Sequence, residues 1–183
     1  MKKIALLLIF LAIPSFAIYI DAGLGYGGAS TEVDDKSVDD IICNDCDELA
    51  VSFGVRVGGQ ISERFWIAGQ LAGLGHRYYK SGDYIQFNSY LLGPSFIFYP
   101  VDHFHLSGSV GFSWTANQTD IRGLDMYDGV GAAIEFTAAY DTGVRGHGVL
   151  LGMKLFSSSN ELETSEKDLS MVGVTLFIAY VHK

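Results

Sequence analysis

Residues 105–115 read HLSGSVGFSWT and residues 129–141 read GVGAAIEFTAAYD, and these two segments decide the fold. In the first, Leu106, Val110, Phe112 and Trp114 share one face with Gly108, while His105, Ser107, Ser109, Ser113 and Thr115 share the other. In the second, Val130, Ala132, Ile134, Phe136, Ala138 and Tyr140 alternate with Gly129, Gly131, Ala133, Glu135, Thr137, Ala139 and Asp141. A strict period of two is a β-strand, because successive side chains leave a strand on opposite sides. One face is apolar and aromatic, and the other is small and polar. The rest of the chain decides whether the apolar face meets a protein core or lipid.

The chain opens with Met1-Lys2-Lys3, an apolar run from Ile4 to Ile13, then Pro14 and Ser15-Phe16-Ala17. That order of charge, short apolar run and small residues is the pattern of a secretory signal cut after Ala17. Residues 1–17 are therefore set apart as a signal peptide, and residues 18–183 form one domain. No cysteine directly follows Ala17, which argues against a lipid anchor. The run is too short to cross a bilayer as a helix, and no later apolar run reaches 18 residues. Yet 49% of residues are hydrophobic, with 12 Phe, 10 Tyr and 22 Gly against 3 Pro, a composition suited to many strands. The formal charge is −9, or −11 without Lys2 and Lys3, which argues against nucleic acid as a partner.

Alternation and turn residues predict strands at 19–28, 49–61, 65–79, 84–99, 104–116, 126–140, 147–157 and 169–181. Short turns fall at 62–64, 100–103 and 141–146. Loops at 30–48, 80–83, 117–125 and 158–168 take the other ends. Eight strands with short turns alternating with loops give an all-β fold, an eight-stranded antiparallel up-and-down transmembrane β-barrel. The strands exceed the ~9–11 residues that a tilted spanning strand needs, so they project beyond the membrane. A soluble eight-stranded barrel would bury its apolar face and carry charges outside. Here the polar faces are mostly Gly, Ser, Thr and Ala with single charges, which fits a barrel interior. Phe65, Tyr99, Phe104, Tyr140 and Tyr180 lie near the short turns, and Tyr26, Tyr78, Tyr79, Tyr84, Trp114 and Tyr127 near the loops. They are expected to form two interfacial girdles.

Signal peptide, eight strands and this order of turns and loops resemble the small outer-membrane β-barrels of the OmpA/OmpX type, a porin-like family of Gram-negative envelopes. In the last strand Gly173 is followed by Leu176, Ile178 and Tyr180 on one face. This resembles the C-terminal insertion signal that the barrel-assembly machinery reads, here carried by strand 169–181, although the chain ends Val181-His182-Lys183 rather than on an aromatic. The resemblance implies an outer-membrane location with outer-membrane lipid and lipopolysaccharide as surroundings, a monomer, no cofactor, and an interior plugged by side chains.

Alternation turns Asp21, Arg56, Glu135 and Lys154 inward, two acids and two bases that should pair. They read either as a plug or as an ion path. Cys43 and Cys46 enclose two residues in a loop, and an oxidising compartment favours a local disulfide between them. The loop from Ser30 to Glu48 carries eight acids and one lysine. Asp34, Asp35, Asp39, Asp40, Asp45 and Asp47 could meet Ca²⁺, or bridge divalent ions to lipopolysaccharide phosphates, but match no EF-hand spacing. His105-Leu106-Ser107 has the His-x-Ser spacing of lipid A deacylases, yet lies at the inner strand end on the lumen side. The function expected is a non-enzymatic surface barrel, structural or interacting through acidic outer loops, with its lumen closed by the charged network. A lipid A deacylase-like enzyme and a narrow small-solute pore are the alternatives. No extracellular ligand is legible. Mass spectrometry of the purified protein should give an N-terminus at Ile18, and a start elsewhere would remove the signal assignment.

Overall fold

A computed structural model describes residues 18–39, 46–80, 82–121, 128–143, 146–163 and 167–183. Residues 1–17, expected as a signal peptide, and Asp40, Cys43, Asp45 and Tyr127 lie outside the described residues. Eight long strands form the wall: β1 Ile18–Val33, β2 Asp47–Ser62, β3 Phe65–Lys80, β4 Asp83–Val101, β5 Phe104–Thr115, β6 Gly129–Asp141, β7 His147–Leu162 and β8 Asp168–His182. Two-residue ladders at Lys36–Ser37 and Gln118–Thr119 extend it at the loop end.

Each strand pairs antiparallel with the next, and β1 pairs with β8 from Ile20↔His182 to Val33↔Leu169. The sheet is closed, so no barrel strand is left with an open edge. Closure lets a sheet enter hydrocarbon, where no water can satisfy a backbone amide. No helix among the described residues is long and apolar enough to cross a membrane, which says nothing of a barrel.

The outside is apolar. Leu24, Leu92, Val110, Phe136, Leu176 and Ile178 are each half or more exposed, and they belong to a belt that runs around all eight strands. So large an apolar surface cannot face water in a monomer, and the belt is a lipid contact. The sequence places Tyr78 and Tyr99 in the girdles, but both are buried and point into the lumen. Parity decides this: each follows inward neighbours two residues back, His76 and Ile97. The outer surface does carry Phe65 stacked on Phe98, and Tyr140 stacked on His103, at the short-turn end. Tyr90 stacks on Trp114, and Tyr79 and Tyr84 flank Arg77, towards the loop end.

β1 and β7 are longer than alternation suggests. β1 runs on through Ser30–Val33 and β7 through Ser158–Leu162, segments expected as loop. The 30–48 loop begins as a hairpin, with Val33↔Lys36 paired around Asp34 and Asp35, both in the left-handed region (φ 55° and 60°). That is the pair of positive φ angles of a type I′ turn, which Asp tolerates. Lys80–Asp83 is short, as expected, with Lys80 paired to Asp83 and Gly82 at φ 101°. Glu63-Arg64 and Asp102-His103 close two of the three short turns at the other end.

Folded in detergent, the protein should give a β-sheet circular dichroism spectrum without helical bands and a faster-migrating SDS gel band that shifts only on boiling. Complete unfolding in unheated SDS would contradict a closed ring.

Candidate functional site

The lumen is stratified. At the short-turn end Tyr19, Trp66, Ile97, Leu150, Phe177 and Val181 pack together with Tyr99 and three alanines. At the loop end Leu74, Phe87, Leu91, Phe156, Leu169 and Met171 pack with Val38, Tyr78, Ile85, Ala133 and Leu162. The expectation of an interior built mainly from small and polar residues is corrected here: it holds only for the middle layer. Eight strands leave a bore that side chains can fill.

The middle layer brings Asp21, Arg56, Glu135 and Lys154 together, all at least 95% buried. Asp21, Arg56 and Gln70 sit in one row across β1, β2 and β3, by the registers Asp21↔Arg56 and Arg56↔Gln70. Glu135 comes from β6, on the opposite wall of the ring. Arg56 spends every nitrogen on this layer. Its Nη1 donates to Asp21 at 3.1 Å, Nη2 to Glu135 at 2.8 Å and to Thr137 at 3.0 Å, and Nε to Gln70 at 2.9 Å. Gln70 Nε2 donates to the same Glu135 oxygen at 2.6 Å, and Ser109 donates to Gln70 Oε1. The fork of the guanidinium suits this work, since it presents several fixed donors at once.

Lys154 reaches in from β7. Its ammonium lies 3.3 Å from the second Glu135 oxygen, an ion pair without hydrogen-bond alignment, and donates to the Phe53 carbonyl at 3.3 Å. It can arrive there because residue 54 is glycine: a β-carbon at Gly54 would stand 2.9 Å from the Lys154 nitrogen. The four charges sum to zero inside one layer.

A second chain of polar contacts runs towards the short turns. Tyr19 donates to Asp21 at 2.7 Å and lies 3.3 Å from His105 Nε2. Asp141, fully buried, accepts from Tyr99 at 2.9 Å and from Lys183 at 2.5 Å, and Lys183 also sits over the Tyr99 ring at 4.1 Å. Sequence reasoning did not single out Gln70, Thr137, Tyr19, Asp141 or Lys183. Parity carried a signal for Asp141 and Thr137, which share the inward face of β6 with Glu135.

Compared with solved structures, the chain is similar to Ail, the attachment invasion locus protein of Yersinia pestis, solved with the heparin analogue sucrose octasulfate (TM-score 0.56, 12% identity, 88% of this chain and 99% of that one). It is also similar to Neisserial surface protein A (TM-score 0.56, 13% identity, 88% and 95%). A third is the outer membrane protein OprG from Pseudomonas aeruginosa (TM-score 0.51, 13% identity, 92% and 97%). The fold is that of a small outer-membrane β-barrel. No protein-family model matches the sequence, and no curated protein matches it.

Within this barrel the remaining candidates are dispersed. His105 and Ser107 both point into the lumen, buried at the short-turn end, with the His105 ring edge-on to Tyr99. They face away from lipid. Cys46 is disulfide-bonded and packs on the loop-end apolar layer. Asp34 and Asp35 occupy the hairpin turn, and the backbone N–H of Asp39 donates to Ser37. Among the described residues no three His, Cys, Asp or Glu side chains gather around a metal-sized point.

Removing Glu135 leaves Lys154 with no carboxylate partner, whereas Arg56 keeps Asp21. Glu135→Ala should therefore lower unfolding stability by about 3 kcal/mol, the range for a buried pair with one partner removed. Glu135→Ala with Lys154→Met should recover most of that loss. Urea titrations of the protein folded in lipid vesicles measure both, and simply additive losses would show that the two side chains are uncoupled.

Proposed function

We propose that this barrel is a closed, non-enzymatic outer-membrane surface protein that acts through its acidic outer loops. The observation that carries the reading is the bridge from Arg56 to Glu135 at 2.8 Å, which joins opposite walls of the ring across its bore. Above and below it lie the two apolar layers, so a small solute crossing the lumen would have to displace three sets of packed side chains. A closed bore leaves the outer loops as the working surface, since loops on a rigid scaffold are free to vary and to bind.

The charge of those loops narrows the partner class. The segment from Ser30 to Glu48 holds eight acids and one lysine, and Glu161–Asp168 adds Glu161, Glu163, Glu166 and Asp168 against Lys167. Ail is solved with a sulfated ligand. In this chain a polyanion would meet like charge at the loops, and complementarity favours a cationic surface or divalent-bridged lipopolysaccharide phosphates. The barrel-assembly machinery is the expected partner of β8, whose Leu176, Ile178 and Tyr180 stand exposed on one face.

Planar-bilayer recordings of the wild type should show no steady conductance, and a large stable channel would replace this reading with a pore. In parallel, Asp34, Asp35, Asp39 and Asp40→Asn should reduce adsorption of the folded protein to amine-coated beads without altering its unboiled SDS band. Unchanged adsorption would remove the loops from the proposed role.

A further inference from the structure

At the short-turn end the outer surface carries a group of donors that neither the lumen nor the loops use. His147 opens β7 and His182 closes β8, and the two are register partners. Both stand on the outward face: Tyr180 and His182 alternate with the inward Ala179 and Val181, and His147 alternates with the strand towards the inward Leu150. Their Nδ1 atoms are 3.3 Å apart, with ring centroids at 4.6 Å. The Tyr180 hydroxyl, one turn of the pleat above His182, is hydrogen-bonded to His147 Nδ1. Two imidazole nitrogens and one phenol oxygen thus converge on one small volume at the rim of the lipid belt.

We propose that His147 and His182 form a binding site for a late first-row divalent ion of the Zn²⁺ and Cu²⁺ class, held by both Nδ1 atoms with Tyr180 and water completing its shell. The spacing supports this. Two bonds of about 2.0–2.1 Å at a tetrahedral angle place their nitrogens roughly 3.3–3.4 Å apart, which is the separation these two atoms already have. Without an ion, His147 Nδ1 meets both the Tyr180 hydroxyl and His182 Nδ1, so one ring nitrogen with a single lone pair or proton carries two contacts. A metal ion uses both lone pairs at once. Donor type sets the class of ion: imidazole nitrogen suits Zn²⁺, Cu²⁺ and Ni²⁺, whereas Ca²⁺ and Mg²⁺ require oxygen.

The placement gives the ion a structural consequence. It would clip the ends of β7 and β8 to each other beside the closing seam with β1, where Ile20 pairs with His182. An ion that binds only the folded barrel raises its resistance to unfolding by mass action. The other described histidines do not compete: His76 and His105 are wholly buried in the lumen, and His103 Nδ1 is bonded to the Asp141 carbonyl at 2.6 Å.

The test is isothermal titration of Zn²⁺ and, separately, Cu²⁺ into the mature protein folded in detergent. One Zn²⁺ or Cu²⁺ per chain is expected whose binding is lost in the double variant His147→Gln with His182→Gln, while any heat from Mg²⁺ or Ca²⁺ is the same in that variant as in the wild type. His147→Gln and His182→Gln should each weaken binding about tenfold or more, as loss of even an outer-shell partner does at other sites. Tyr180→Phe should change it less. Because both histidines lie on the surface, the variants should keep the unboiled SDS band. A Cu²⁺ electron paramagnetic resonance spectrum of the wild type gives an independent count, two nitrogens per copper. Zn²⁺ should also raise the temperature at which the wild-type band shifts, and leave that of the double variant unmoved. Equal affinity in wild type and double variant, a one-nitrogen copper spectrum, or no binding by the wild type would each overturn the site.

Discussion

The structure depends on one constraint. A strand that faces hydrocarbon has no water for its amides, so every ladder must find a neighbour and the sheet must end where it began. The pairing of β1 with β8 meets that demand over a long register, and everything else follows from the ring it makes. Closure fixes which side chains point out and which point in. Outward positions are tuned to lipid, and inward positions meet one another across the bore.

Filling that bore raises an energetic problem, because charged groups there lose water. This chain solves it by concentrating its inward charges into one neutral layer. Arg56 is the hub, since it alone reaches Asp21, Gln70, Thr137 and Glu135. Lys154 depends on the same carboxylate and on the missing side chain at Gly54. Such a network is an arrangement of compensations rather than a surplus of stability, because burying paired ions barely offsets the loss of hydration. Apolar layers meet it from both sides.

Much of this was legible from period two alone. β5, β6 and β8 alternate so cleanly that face, strand and lumen charge follow from parity, and Asp21, Arg56, Glu135 and Lys154 all fall inward in the structure. Three features were not legible. Strand ends beyond the lipid belt, such as Ser30–Val33 and Ser158–Leu162, no longer need an apolar outer face, so the alternation fades while the ladder continues. On β3 the outward positions include Gly69, Gly73 and Gly75 and the inward ones include Trp66 and Leu74, so the two faces lack contrast and the apolar lumen is hidden. Tyr78 and Tyr99 show that position along a strand is a weaker guide than parity.

The apolar layers also decide how the barrel responds to its surroundings. Screening by dissolved salt requires mobile ions within about a Debye length, in water continuous with the charges. The Arg56–Glu135 layer lies between packed Trp66, Leu150 and Phe177 on one side and Leu74, Phe156 and Met171 on the other. If the bore is closed as proposed, external electrolyte acts on the loops and leaves the interior attraction intact. Such a barrel has two electrostatic compartments: an outer one that ionic strength can tune, and an inner one insulated from the medium in which the cell happens to live.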